Sequence, residues 1–176
     1  MSAGMDLPGG FTDAHGVPVP TANVLVVQHS LGLLAPKFRQ VVEDALRACE
    51  RLSLQAVVYE TYRSDALQKL YYARGRTVRP PLATVTNAPD NLASWHGYGL
   101  AVDVIHRVKR WDMPISWFRA VAQVFKEHGA DWGGDWTHPD YPHFQYWTLR
   151  PSPSQRARDL LAAGGLEAVW REVGAI

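Results

Sequence analysis

The sequence has little of what several common protein classes require. Cys49 is the only cysteine among 176 residues, so an intrachain disulfide and a zinc site built from several thiolates are both excluded. No apolar stretch approaches the roughly 18 residues of a membrane-spanning helix, and the N-terminus lacks the basic start and apolar run of a secretory signal. We therefore expect a chain made in the cytoplasm, without a signal peptide and without membrane insertion.

An excess of charge of one sign is also missing. The chain has 18 Lys and Arg against 17 Asp and Glu, a net charge of +1, and its basic residues cluster only at 107–110. Nucleic-acid binding needs a basic stripe, so we expect no nucleic-acid partner. The 47% hydrophobic content is sufficient for one sizeable core, which predicts a single, monomeric domain over 1–176. Within it, 1–22 reads as an irregular arm and 152–176 as two short helices broken at Gly164 and Gly165.

Hydrophobic periodicity predicts a mixture of helices and strands. Ser64 is placed to cap a helix whose inner stripe is Leu67, Leu70 and Tyr71, and Gly75 is placed to stop it. The segment 76–93 is rich in proline and reads as a long loop, a kind of segment that is often functional. The remaining predicted elements are helices at 36–52 and 116–128, strands at 54–59 and 143–147, and a short possible strand at 24–27.

The stretch 94–104, S-W-H-G-Y-G-L-A-V-D-V, organises the chain. Gly97 and Gly99 disfavour a helix here, so a loop that runs into a strand is expected. In that strand Asp103 lies on the face opposite to the apolar residues Leu100, Val102 and Val104, and His96 approaches it from the loop.

His96, Asp103 and His143 are candidate metal ligands. Two imidazoles and one carboxylate bind zinc and leave a fourth position open for water, which is typical of a catalytic site. In its own strand His143 shares a face with Gln145. Each residue taken singly is equally consistent with a hydrogen-bonded structural histidine or a turn-capping aspartate, so spacing alone leaves both interpretations open.

Further candidates surround these three residues, and each has a structural alternative. Asp140 precedes His143 by three residues, which suits a general base but also a turn carboxylate. Arg63 follows a predicted strand and is suited to holding substrate or to pairing with a structural carboxylate. His138 is either a substrate-side group or an exposed loop residue. Tryptophans near these positions are candidates for the walls of a cleft: Trp95, Trp132 and Trp136.

Several blocks in a fixed order carry a resemblance to a known family. They are T-Y-R-S-x-x-x-Q at 61–68, T-N at 86–87, the stretch 94–104, W-G-G-D-W at 132–136 and D-Y-P-H-F-Q at 140–145. This order resembles the zinc L-alanyl-D-glutamate endopeptidases of the D-alanyl-D-alanine carboxypeptidase and hedgehog-like superfamily, in the branch that includes phage endolysins. The combination is far more specific than any single block.

The resemblance implies a fold and a set of roles. The implied fold is α+β, with a small antiparallel sheet that carries the site and helices packed against it. The resemblance implies one Zn²⁺ per chain, bound by His96, Asp103 and His143. It also implies that Asp140 is the catalytic base and that Arg63 steadies substrate and transition state. Distant carboxypeptidase relatives use a glutamate as base, so Asp140 groups the chain with the endopeptidases. Residues expected to contact substrate are Gln68, Trp95, Trp136 and His138.

The implied function is hydrolysis of the stem peptide of peptidoglycan, at the L-alanyl-D-glutamate bond. The tail after the site is too short for a separate wall-binding domain, so the closer likeness is a compact phage lysin that acts in the host periplasm. Two alternatives stay open: a D-alanyl-D-alanine carboxypeptidase, and a non-catalytic zinc-containing binding module. Release of free D-alanine would identify the first, and ligand binding that tolerates loss of Asp140 would identify the second.

Overall fold

The secondary structure alternates short strands with amphipathic helices. The computed structural model describes residues 25–77 and 84–176, together with the backbone of two short strands before them. Most of the predicted arm 1–22 therefore lies outside the described residues. The elements are β1 (Phe11–Thr12), β2 (Pro18–Val19), α1 (Pro36–Arg51), β3 (Ala56–Glu60), α2 (Asp65–Ala73), β4 (Ala101–His106), α3 (Ile115–Glu127), β5 (Ala130–Trp132), β6 (His143–Tyr146) and α4 (Gln155–Glu172).

Four of the strands form one antiparallel sheet in the order β3, β4, β6, β5, while β1 pairs with β2. The α+β class with a small antiparallel sheet is thereby confirmed. The register pairs Asp103 of β4 with His143 of β6 on one side and with Glu60 of β3 on the other. Three polar side chains from different strands consequently meet at one level of the sheet.

The two faces of the sheet differ in chemistry because side chains alternate along each strand. Val102, Val104 and Phe144 are fully buried in the hydrophobic core, which α1 and α3 cover. Cys49 is fully buried in this core, and this burial raises the pKa of its thiol to about 11. The opposite face, with Asp103, is thus left for polar chemistry.

Helix α2 departs from its predicted inner stripe. Ser64 caps it as expected, since its Oγ accepts a hydrogen bond from the Leu67 N–H at 3.2 Å. The buried residues are Leu67 and Gln68, however, whereas Leu70 is 39% exposed, so the prediction for Leu70 was wrong. The reason is that α2 lies beside a polar cleft, and a glutamine therefore takes the inward position.

Other boundaries and elements differ in smaller ways. Residues 25–27 form no strand, and Leu25 and Val26 are exposed, so the possible strand at 24–27 was wrong for these positions. Strand β5 was not predicted, because three residues with an aspartate in the middle give almost no periodic signal. Gly164 and Gly165 interrupt α4 with non-helical backbone, as expected. Among the described residues, no helix combines the length and hydropathy that a bilayer crossing requires.

Residues 95–98 form a short 3-10 helix where an irregular loop was expected. The Ser94 hydroxyl caps its first turn, and Gly99 ends it with a left-handed φ of 64°. Gly97 is required because a Cβ there would lie 2.1 Å from the carbonyl oxygen of Asn91. This close packing holds His96 in a fixed position at the start of β4.

Candidate active site

Three predicted ligands converge on one point above the sheet. Nε2 of His96 lies 3.3 Å from Oδ1 of Asp103, and Nδ1 of His143 lies 3.5 Å from the same oxygen. The three ligand atoms are all within 4.8 Å of one another. The β4–β6 register supplies Asp103 and His143, while the 3-10 helix supplies His96.

The second nitrogen of each imidazole is fixed by a hydrogen bond to the protein. Nδ1 of His96 donates to the Thr61 carbonyl at 2.7 Å, and Nε2 of His143 donates to Oε1 of Gln145 at 3.3 Å. Gln145 is itself oriented, since its Nε2 donates to the carbonyls of Leu149 and Arg150. Both histidines are therefore held in the tautomer that turns a lone pair toward Asp103.

The arrangement fits a zinc ion. Nε2 of His96 is buried and has no hydrogen-bond partner among the described residues, a condition that a bound cation relieves. Zinc binds nitrogen and oxygen ligands at about 2.0–2.2 Å, so tetrahedral ligand atoms lie roughly 3.3–3.6 Å apart. The observed distances from Asp103 match that spacing.

Asp103 is ionised despite its surroundings. Burial opposes the charge, but His96, His143 and Arg63 outweigh that effect and hold the pKa of Asp103 well below its usual range. A negatively charged carboxylate beside two imidazole nitrogens suits a divalent cation.

Arg63 lies in a buried ion-pair network. Its Nε donates to Oε2 of Glu60 at 3.0 Å, and its Nη1 donates to Oε1 of Gln68 at 3.0 Å. Its Nη2 donates to Oε2 of Glu60 and to Oδ2 of Asp103. Arg63 thus contacts the Asp103 carboxylate directly, and it also lines the cleft. Sequence reasoning missed Glu60, although it stands in the block E-T-Y-R at 60–63, because nothing in the sequence showed that this carboxylate points inward.

Asp140 borders the same site, whereas Gln68 is fully buried behind Arg63 and does not line the cleft. Nε2 of Gln68 donates to the Ala88 carbonyl at 2.7 Å, so Gln68 connects Arg63 to the segment around Ala88. Asp140 faces the cleft, and the His143 N–H donates to its carbonyl at 3.3 Å. Asp140 is exposed at the cleft, and desolvation by the nearby protein, together with the charge of Asp103, raises the pKa of Asp140. A carboxylate with a raised pKa is a better proton acceptor near neutral pH.

The W-G-G-D-W block shapes the loop that carries Asp140. The Asp140 N–H donates to the Gly133 carbonyl at 3.0 Å, and a Cβ on Gly133 would lie 2.6 Å from the Asp140 carbonyl oxygen. Nε1 of Trp132 donates to the Tyr141 carbonyl at 2.7 Å. The glycine therefore permits a close approach that brings Asp140 beside His143.

The remaining predicted residues have different surroundings. A cleft of about 810 Å³ holds Trp95, Trp136 and His138 in its lining together with the ligands. The ring centroid of Trp136 lies 5.0 Å from that of His143, and His138 is exposed in the loop. Trp95 is largely buried, with its Nε1 donating to the Arg150 carbonyl, and Trp132 does not line the cleft. The roles of these residues in substrate contact stay predictions.

Replacing Arg63 is expected to destabilise the protein. Arg63→Ala leaves Glu60, which is 1% exposed, as a buried charge without its cation, and breaking such a pair costs about 3–5 kcal/mol in the free energy of unfolding. Denaturant unfolding would measure this loss. The matched control is Arg107→Ala, which removes an exposed pair with Glu50 and should change stability little. If Arg63→Ala had the same free energy of unfolding as Arg107→Ala, Arg63 would not be needed to neutralise Glu60.

A family model and a bacterial endopeptidase both match this chain. A family model described as D-alanyl-D-alanine carboxypeptidase matches residues 87–146, a segment that contains all three candidate ligands and Asp140. The peptidoglycan L-alanyl-D-glutamate endopeptidase CwlK of Bacillus subtilis (strain 168) is 30% identical over 125 residues, which cover 64% of this chain and 72% of CwlK.

Solved structures of similar proteins were also found. The Serratia marcescens L-Ala D-Glu endopeptidase ChiX is 25% identical with a TM-score of 0.49, over 66% of this chain and 82% of ChiX. The D,D-pentapeptidase VanY, solved with Zn(II), is 16% identical with a TM-score of 0.46, over 87% of this chain and 93% of VanY. Because the 30% identity extends over 72% of CwlK, the chain belongs to the same family. This family is that of the peptidoglycan L-alanyl-D-glutamate endopeptidases, within the D-alanyl-D-alanine carboxypeptidase-like metallopeptidases.

Proposed function

We propose that this protein is a zinc-dependent peptidase that hydrolyses the L-alanyl-D-glutamate bond in the stem peptide of peptidoglycan. Its relative CwlK is an endopeptidase of this polymer. The observation that carries the proposal is the pair of buried histidines whose outer nitrogens are fixed by hydrogen bonds while their inner nitrogens face Asp103. An open cleft beside them gives a peptide access to that point.

One zinc ion per chain would be held by His96, Asp103 and His143. When bound, zinc supplies Lewis acidity, which polarises a carbonyl and lowers the pKa of water to roughly 7. Thr61 and Gln145 hold the two imidazoles in the ligating tautomer, so little reorganisation is needed for binding.

Asp140 acts as the general base. Its carboxylate faces the cleft next to His143 and accepts a proton from the water that attacks the scissile carbonyl carbon. The same carboxyl group then delivers that proton to the nitrogen of the departing D-glutamate residue. No covalent bond to the protein forms in this sequence.

Arg63 has two functions in this scheme. Its Nη2 contact orients Asp103, and its positive charge, close to the reacting centre, stabilises the negative charge that develops on the carbonyl oxygen. The network with Glu60 and Gln68 keeps the guanidinium in place, which limits the reorganisation required during the reaction.

Mass spectrometry of purified muropeptides tests the proposed bond specificity. Incubation with the zinc-loaded protein should release peptides that begin with D-glutamate and leave L-alanine on the sugar. Release of free D-alanine would instead identify a D-alanyl-D-alanine carboxypeptidase, and absence of any cleavage would favour the binding module. Action at the cell wall follows from this substrate, and we propose the host periplasm of a phage-type lysin as the place where it occurs.

A further inference from the structure

Two aromatic side chains stand at the edge of the cleft and have no part in the scheme above. Trp111 is 47% exposed, and its ring lies 4.7 Å from that of Tyr59 in an edge-to-face arrangement. Both residues line the same cleft as His96 and Asp103. We call Tyr59 and Trp111 the aromatic rim.

An irregularity in β3 turns Tyr59 toward the cleft. Val58 pairs with Val104 and Glu60 pairs with Asp103, so Tyr59 is an extra residue opposite the β4 strand. In a regular strand Tyr59 and Glu60 would point to opposite faces, but the bulge allows both to line the cleft. Bulges of this kind are found next to active sites, where they re-aim a side chain.

The turn that carries Trp111 is rigid. His106 is buried, and its Nδ1 accepts hydrogen bonds from the N–H groups of Val108 and Lys109, both at 3.1 Å. Backbone bonds between His106 and Arg110 close the turn, and Arg110 has a left-handed φ of 56°. Strained backbone held by its surroundings is common at ligand sites. The turn therefore presents Trp111 and Arg110 in a pre-organised arrangement, which lowers the entropy cost of binding.

The substrate of the proposed function specifies what should lie near this rim. In peptidoglycan the L-alanine nitrogen is joined to the lactyl group of N-acetylmuramic acid, so one amino acid separates the scissile bond from the sugar. At about 3.3–3.6 Å per extended residue, the sugar ring must remain close to the cleft while the bond is cut. A pyranose ring has an apolar C–H face that packs flat on an aromatic ring, and its hydroxyl and acetamido groups accept hydrogen bonds.

We propose that the aromatic rim is a subsite for the glycan, in which the exposed ring of Trp111 stacks on the N-acetylmuramic acid ring. The ring of Tyr59, whose plane lies 70° from that of Trp111, supports the indole from the side. Arg110, whose guanidinium carbon lies 5.5 Å from the Tyr59 ring centroid, supplies hydrogen-bond donors to the polar groups of the sugar. This inference rests on the proposed function, because the substrate places a sugar one residue from the scissile bond.

The kinetic test compares two substrates that differ only in the sugar: a disaccharide-linked stem peptide and the same peptide without the disaccharide. Trp111→Ala should lower kcat/KM on the sugar-bearing substrate by roughly threefold to tenfold, the size of one aromatic contact, and leave the free peptide unaffected. Trp111→Phe should restore most of the loss. The matched control is Trp147→Ala, which removes a tryptophan that is 53% exposed but lies outside the cleft lining.

A binding measurement separates this inference from the proposed activity. Titration of the parent protein with the peptide-free disaccharide should shift the indole N–H signal of Trp111 in an NMR spectrum, whether or not the protein cleaves any peptide. If the parent protein cleaved neither substrate, this result would overturn the proposed function but not the glycan subsite. The glycan subsite would be overturned if Trp111→Ala lowered kcat/KM equally on both substrates. It would also be overturned if the Trp111 signal did not shift at millimolar disaccharide.

Discussion

Asp140→Asn is expected to lower kcat at least about a hundredfold, the usual cost of losing a positioned general base, while the protein keeps its zinc. The amide has almost the same shape as the carboxylate but cannot accept a proton. Asp140 is three residues from the ligand His143 and is not itself in the ligand set, so metal binding should persist. Muropeptide cleavage and metal analysis of the same preparation would measure both quantities.

The matched control for this change is Asp135→Asn. Asp135 belongs to the same loop but pairs with Lys126 and does not line the cleft, so its amide variant should cleave at nearly the parental rate. A parental rate for Asp140→Asn would mean that Asp140 is only a turn residue. His138, which is exposed and borders the cleft, would then be the next candidate for the base.

Replacing a metal ligand should lower activity about as much as Asp140→Asn does, but through loss of the zinc ion. The parent should contain about one zinc per chain, the number expected for a single three-ligand site. His96→Ala and Asp103→Ala should each lose zinc and activity together, because two remaining protein ligands hold the ion far less tightly. His138→Ala serves as the control, since His138 is outside the ligand cluster and its loss should leave the zinc content unchanged. Full zinc content in both ligand variants would disprove the assignment.

The sequence alone identified the three candidate ligands that the structure brings together, and it predicted the main secondary structure. Alternation in β4 and β6 predicted that Asp103 and His143 leave the core face, because the period of a strand is two and apolar residues flank each of them. The order of the motif blocks then pointed to the family, which the relationship to CwlK confirms. These features are local or depend on the order of residues along the chain.

Contacts between distant residues required the tertiary structure. The sequence could not show that Glu60 pairs with Arg63 in a buried site, that Gln145 fixes the tautomer of His143, or that Gly133 admits the Asp140 carbonyl.

The aromatic rim likewise depends on a bulge, and a bulge adds one residue without changing the composition or the hydrophobic pattern of a strand. Residue types and spacing therefore determined which groups are candidates for the chemistry. Packing decided their orientation, because hydrogen bonds and close approaches between separate segments exist only once the sheet has formed.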